Sequence, residues 1–376
     1  MHLKDSIPLW RYGRDKGVSV LDAEEGLHWA LRWLCAAQDA AKGGGMARAY
    51  SLRSGWELPY PETTGYIIPT FLALAGRYPE LQLEERAWRA GRWLAEVQFE
   101  SGAICSKQHR PGNVKPSVFN TGMVLHGWIS LLGAQKDVQI RDAARKAVDW
   151  LIREQEADGS WVKNAFNHRA HTYYTMVDWS LLRYASFMGD GRTHEAAVKH
   201  LDWTLRQQQK NGWFDLCEFE AGAAVTTHTI SYTTQGLVDA GRLLGEDRYI
   251  ESAMRGTLML RKCFETMGKL PGTFNDQWQP TANWECCTGS AQTSLVWQAL
   301  SVVTGDVSWK QIAEKLNRHM LQYQKIHCKN PAVEGAIPGS WPIAGGYDSL
   351  NFPNHAAKFY VDALSGSEGT RAGVPA

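Results

Sequence analysis

Two kinds of hydrophobic pattern alternate along the chain. Stretches such as ERAWRAGRW and RDAARKAVDW place apolar residues at helical spacing and charges on the opposite side, the mark of helices with one face in water. Between them lie stretches such as TGYIIPTFLALAG and SAQTSLVWQALSVV, apolar on nearly every side, which belong inside. The alternation predicts an all-α protein with six inner and six outer helices and almost no long strand. A double ring, the (α/α)6 toroid of six helical hairpins, is the arrangement that buries both sets. We read residues 1–365 as one such domain and 366–376, SGSEGTRAGVPA in its context, as a disordered tail.

The pattern is reinforced by an internal repeat. A Trp is followed five residues later by a Gln at Trp33/Gln38, Trp93/Gln98, Trp150/Gln155 and Trp203/Gln208, each near the end of an outer-type helix. A Gly-rich break follows each time: GGGMA, SGAI, DGSW and NGWF. The fifth and sixth units keep the helix order without the Trp–Gln pair. Inner-type helices then start near positions 64, 121, 172, 233, 288 and 354, in segments rich in Thr, Asn and Gly. Thr and Asn there are natural N-caps, since their side-chain oxygens accept the free N–H groups of a first turn.

Composition narrows the class. Lys and Arg number 40 against 39 Asp and Glu, so no basic stripe suggests a nucleic-acid partner. The N-terminus lacks a continuous apolar region of signal-peptide type, and no apolar stretch is long enough for a transmembrane segment. Seven cysteines, of which only Cys286 and Cys287 are adjacent, fit reduced thiols and a cytoplasmic location better than a disulfide framework. Seventeen tryptophans suit helix packing first and sugar stacking second. Oligomeric state is not written in these features.

QEADGSW, Gln155 to Trp161, resembles the Q-x-x-x-G-x-W repeat of terpenoid cyclases, and QQKNGW, Gln208 to Trp213, is a looser copy. From about residue 20 to 365 the chain is similar to the terpenoid cyclase and protein prenyltransferase type of toroid. Its layout also resembles the six-hairpin toroids of polysaccharide lyases, uronyl epimerases and several glycosidases. The resemblance implies architecture more than chemistry. The D-x-D-D and D-D-x-x-D motifs of terpenoid chemistry are absent.

In such a ring the inner-helix N-termini and the loops before them line one mouth, and helix N-termini favour anions. The first start offers Tyr60, Glu62 and Tyr66; the second, Lys107, His109, Arg110, Asn113, Lys115 and Asn120, a basic loop suited to a carboxylate or phosphate. The third carries His168, His171, Tyr173 and Tyr174; the fourth, Asp215, His228 and Tyr232; the fifth, Asp276, Trp278, Trp284 and Glu285; the sixth, Trp341, Tyr347, Asp348, Asn351, Asn354, His355 and Lys358. His171-Thr172-Tyr173 is similar to the Asn/His-Ser-Tyr entry of the alginate-lyase type of toroid. That resemblance implies carboxylate neutralisation by Asn and His and proton exchange by Tyr, although Ala170 stands where the pattern has Asn. Glu285-x-Cys287 with His355 is similar to the zinc ligands of protein prenyltransferases, with Glu in place of Asp.

The leading expectation is a lyase or epimerase acting on a polysaccharide or oligosaccharide, uronic-acid-containing types included, in glycan biosynthesis or tailoring. In it His171 and Tyr173 are catalytic, Glu285 and Asp276 are further acid/base candidates, and no cofactor is needed. Tyr60, Glu62, Arg110, Asn120, His168, Tyr232, Trp278, Trp284, Trp341, Tyr347, Asn354 and His355 would bind the glycan or glycolipid-type substrate. The alternatives are a prenyltransferase- or terpenoid-cyclase-like enzyme with zinc on Glu285, Cys287 and His355, and a glycosidase or non-catalytic glycan-binding toroid.

Overall fold

The computed structural model describes residues 22–106 and 114–366. Twelve α-helices occur among them: α1 (Ala23–Ala41), α2 (Pro61–Leu74), α3 (Leu83–Glu96), α4 (Val118–Ala134), α5 (Val138–Arg153), α6 (Thr175–Met188), α7 (Gly191–Arg206), α8 (Thr227–Leu244), α9 (Asp247–Met267), α10 (Cys287–Thr304), α11 (Val307–Met320) and α12 (Asn354–Ser365). The even-numbered helices each pack on the next, and α12 returns to α2, closing an inner ring. Each odd-numbered helix backs its even-numbered neighbour, and α1 backs α12, so the first and last helices form the sixth hairpin. This is the expected α/α toroid. The tail at 367–376 lies outside the described residues.

The inner helices are buried nearly all round, α4 from Val118 to Ile129 without interruption. Trp33, Trp128, Trp161 and Trp297 are fully buried between the rings, and most of the described tryptophans pack the core. Strands are confined to short pairs at the mouth. Ala49–Ser51 pairs with Gly55–Trp56 on one side and with Asn351–Pro353 on the other, tying the first loop to the last.

The repeated Gln residues have one structural role. Gln38 Nε2 donates to Gly44 O and Arg86 O, Gln98 Nε2 to Gly102 O and Ala143 O, Gln155 Nε2 to Gly159 O and Ala196 O, and Gln208 Nε2 to Gly212 O and Ser252 O. Each amide therefore fastens its own Gly break to the next outer helix. Gln324 does the same at the seam between α11 and α1, donating to Gly335 O and Gly26 O.

The expected caps differ from those observed. Thr64 and Thr121 lie one turn inside their helices, where they donate to Tyr60 O and Ser117 O and accept from Met46 N and Ile104 N. The side-chain caps at these starts are Ser117, Thr226 and Cys286. Helix α8 consequently begins at Thr227, six residues before the expected Thr233, whose hydroxyl instead bonds back to Thr229 O. All seven cysteines are free, and no described helix is long and apolar enough to cross a membrane.

Candidate active site

The inner-helix starts surround a cavity of about 390 Å3. From α2 and the residue before it come Tyr60, Glu62 and Tyr66; from α4, Phe119 and Asn120; from the turn leading into α6, Tyr173; from α8, His228 and Tyr232; from α12, His355. The loop before α12 adds Tyr347 and Asp348, the loop before α6 adds Phe166 and His168, and Arg48 enters from the segment after α1.

Local structure explains these placements. Pro61 occupies the first turn of α2, where its missing N–H costs nothing, and sets Glu62 just inside the ring mouth. Ser117 caps α4 through Asn120 N, which turns the Asn120 side chain back onto Cys105 O at 2.6 Å and the Tyr60 hydroxyl at 3.3 Å. Ser340 Oγ donates to Tyr347 O at 2.7 Å and accepts from Tyr347 N at 3.0 Å. Asp348 follows at φ 45°, a left-handed position that Asp tolerates better than most residues. The pairing of Ala49 with Pro353 and of Ser51 with Asn351 carries Arg48 beside this loop. Its guanidinium is shared: Nε donates to Glu57 Oε2 at 2.7 Å, and Nη2 and Nη1 donate to Asp348 Oδ1 and Oδ2 at 2.9 and 3.2 Å.

The two acids lining the cavity are shifted in opposite directions. Burial pushes Glu62 up to about 7, against the hydrogen bond from Tyr60 at 2.6 Å and the attraction of Arg48. Asp348 is also buried, yet Arg48 and then His355 hold it below the ordinary carboxylate range. Burial lowers His355 to about 4 and His228 to about 3, so both imidazoles are neutral at ordinary pH. His355 Nε2 lies 3.1 Å from the Tyr347 hydroxyl and 3.5 Å from Asp348 Oδ2. His228 Nδ1 pairs with Gln292 Oε1, an orientation fixed by Gln292 Nε2 donating to Gln235. That pairing puts the proton on Nδ1 and leaves Nε2 as a base. The two rings are nearly parallel, with centroids 5.8 Å apart.

Of the residues expected from sequence, the cavity gathers Tyr60, Glu62, Tyr66, Lys115, Asn120, His168, Tyr173, His228, Tyr232, Tyr347, Asp348 and His355. Others lie elsewhere. His171 is buried behind the wall, its Nε2 2.9 Å from Phe166 O and its ring against Tyr173 and Tyr174; it braces the loop rather than lining the cavity. Glu285 accepts from His319 Nε2 at 2.8 Å and the Tyr323 hydroxyl at 2.9 Å, on the outer side of α10. Asp276 is exposed on a loop, where its carbonyl accepts from Asn211. Trp278 packs edge-on against Trp213 and donates to Asn211 O. Trp284 lies over Gly272, Gly345 and Gly346, and Trp341 sits beside Tyr323 and Lys325. Asn354 is buried and donates to Ala47 O and Thr63, a joint between the first and last hairpins. Arg110 falls outside the described residues, as do Lys107, His109 and Asn113. The zinc alternative loses its geometry, since Glu285 faces His319 while His355 faces Tyr347. Among the described residues no group of three or more His, Cys, Asp or Glu is disposed to hold a metal ion.

Sequence reasoning missed Arg48 because it stands early in the long loop between α1 and α2, well before the start of the first inner helix. It also missed the aromatic wall of Phe119, Phe166 and Phe219.

No protein-family model and no curated protein matches the chain. Solved structures do. An unsaturated glucuronyl hydrolase specific for heparin superposes with a TM-score of 0.73 at 13% identity, over 92% of this chain and 96% of that one. The unsaturated glucuronyl hydrolase from Bacillus sp. GL1 gives 0.67 at 16%, over 91% and 96%. Cellobiose 2-epimerase from Bacillus thermoamylovorans B4167 gives 0.69 at 12%, over 91% and 98%. At such identities the likeness is one of fold, and it places the chain's architecture among the α/α toroids.

Proposed function

We propose that this chain is a carbohydrate-active enzyme that hydrolyses a glycosidic bond at the end of a glycan held in the central cavity. The observation that carries this reading is Glu62, a carboxyl that burial raises to about 7, so that a large share of it holds its proton near neutral pH, in a cavity walled by Tyr60, Tyr66, Phe119, Tyr173 and Tyr232. Aromatic faces stack on the apolar faces of sugars, and a protonated acid beside them can donate to the departing glycosidic oxygen. His228 lines the same cavity, and its neutral ring supplies a base for the attacking water. Asp348 stays charged under Arg48 and orients His355. The solved structures of like fold include two hydrolases of unsaturated glucuronyl groups, which supports a glycan-directed reading.

One observation favours a second reading. The neutral, nearly parallel pair His228 and His355 could take a proton from a carbon beside a carbonyl and return it, which is epimerase chemistry, and an epimerase is also among the like folds. A panel of oligosaccharides incubated in H2-18O and in D2O separates the two. Hydrolysis puts solvent oxygen into a cleaved product, whereas epimerisation puts deuterium into an uncleaved one. For hydrolysis, Glu62→Gln should lower kcat by about 100-fold or more, the range of a lost general acid. Full activity in that variant would remove Glu62 from the mechanism.

A further inference from the structure

We propose that Tyr60, itself held by Asn120, is a positioning residue for Glu62: its hydroxyl hydrogen occupies Oε2 and confines the acid proton to Oε1. The inference rests on reading Glu62 as the proton donor of a glycan site and goes further, to which oxygen donates and what holds it ready.

The hydrogens of this cluster can be counted. Cys105 O is a backbone carbonyl and can only accept, so the Asn120 atom 2.6 Å from it is the amino nitrogen. Oδ1 then faces Ser117 Oγ, which donates to it at 3.2 Å. The second hydrogen on Nδ2 goes to Tyr60 Oη at 3.3 Å. The Tyr60 hydroxyl has one hydrogen of its own to give. Glu62 Oε2 lies 2.6 Å away and Asn120 Oδ1 3.5 Å, so Oε2 takes it. With Oε2 accepting, the carboxyl carries its proton on Oε1. The reverse arrangement, a proton on Oε2 given to Oη, would leave the Tyr60 hydrogen only the distant Oδ1. Glu62 lines the cavity, so a sugar there meets a carboxyl with its proton on a fixed atom.

The same bond sets the strength of the acid. Burial drives the carboxyl up, and of the two opposing pulls the Tyr60 hydrogen bond is the larger and the attraction of Arg48 the smaller. Arg48 is shared with Glu57 and Asp348. The other titratable groups that feel Glu62 are phenols: Tyr66 on α2, Tyr173 and Tyr174 at the turn into α6, Tyr232 on α8 and Tyr347 before α12. Burial raises each of them, so all are neutral where Glu62 titrates.

The test uses the full chain and its first reading needs no substrate. Infrared difference spectra of wild type against Glu62→Gln, taken from pH 5 to pH 9, isolate the Glu62 carboxyl band. Tyr60→Phe keeps the ring and removes only the hydroxyl. Its Glu62 band should titrate about one pH unit or more higher, the scale of a lost hydrogen bond to a carboxylate. The band should also lie at higher wavenumber, because Oε2 no longer accepts. Asn120→Ala weakens the hydroxyl as a donor and should move both readings the same way by less. It decides where Tyr60→Phe does not fold. A midpoint that stays or falls, or a band that stays, overturns the inference while the glycan reading stands. With an oligosaccharide that the wild type cleaves, the basic limb of kcat should rise with the Glu62 midpoint in Tyr60→Phe. A limb that stays while the band titrates higher removes Glu62 from the mechanism, and this role of Tyr60 with it. If no sugar of the oligosaccharide panel is turned over, the glycan reading falls, and the infrared result still decides where the proton sits.

Discussion

Glu62 shows how burial decides a single residue's chemistry. It stands in the first turn of α2, where the helix dipole favours a negative charge by about 0.3–1 kcal/mol. Burial outweighs that help and the pull of Arg48, and the carboxyl rises from its ordinary value near 4.5 to about 7. The folded chain therefore holds this proton more tightly than the unfolded chain does. Glu62's contribution to stability is complete below pH 4.5 and is lost as pH rises through 7. His355 and His228 act in the opposite sense. Their folded values are depressed from 6.5 to about 4 and 3, so their contribution is complete above 6.5 and is lost as the solution is acidified through those lower values. Urea denaturation of wild type and Glu62→Gln at pH 5 and pH 8 isolates the acid. The variant's midpoint should gain on the wild type's between the two pH values, and an equal difference at both would show that Glu62 titrates normally. Glu62 is visible in the sequence as a polar residue at an inner-helix start. Its protonation is not, because that depends on what closes over it. His171 sat at an equivalent position and failed for a local reason. Asn167 and His168 both take positive φ, and the loop so formed offers Phe166 O to the imidazole.

At the scale of elements, the Trp–Gln repeat was read correctly as periodic, but its phase was lost after the fourth unit. Gln324 restores it without the partner Trp, behind a short 3-10 turn that follows α11. The amide satisfies two carbonyls on different elements, so it acts as a clasp between outer helices that otherwise touch little. Gln324 is buried, and Tyr360 donates to its Oε1 at 3.3 Å. Gln324→Leu keeps the volume and strands Gly26 O, Gly335 O and the Tyr360 hydroxyl. A loss of about 2–3 kcal/mol in urea unfolding is expected, the cost of leaving buried polar groups unpaired. Catalysis at 25 °C should be unaffected, since no atom of this clasp lines the cavity. A loss below about 0.5 kcal/mol would mean water replaces the amide. The repeated Gly of the inner-helix starts has a comparable explanation. A Cβ on Gly65 would lie 2.6 Å from Val124 Cα, so the inner helices cross at a distance that only glycine permits. The hydrophobic pattern revealed which helices lie inside, but the reason for the glycines needed the neighbouring helix.

For the whole molecule, closure of the ring decides the shape of the site and, under the proposed function, the product it releases. Arg48 and Asp348 are 300 residues apart in sequence and meet only because α1 and α12 form the last hairpin. Nothing local in either segment announces that pair, and this is why the electrostatic centre of the cavity was the least legible part of the sequence. Closure also fills the axis of the ring beyond the cavity. There Lys358 pairs with Asp362 at 2.6 Å, Asp362 accepts from Thr70 at 2.8 Å, and Arg183 bonds His126 and Ser130, all within the inner helices. The void among these residues is only about 20 Å3, too small for a sugar ring. Among the described residues the cavity is open at the mouth and narrows to this void below, so under the proposed function a glycan enters it by an end. Digestion of a suitable oligosaccharide series should accordingly release one short unit at a time from a single end, with the remaining chain shortening in steps. Chromatography of early time points would show this as one constant small product beside a ladder of substrates. Mid-chain fragments appearing first would mean that the axis opens or that the working site is elsewhere, and the assignment of Glu62 would have to be abandoned with it.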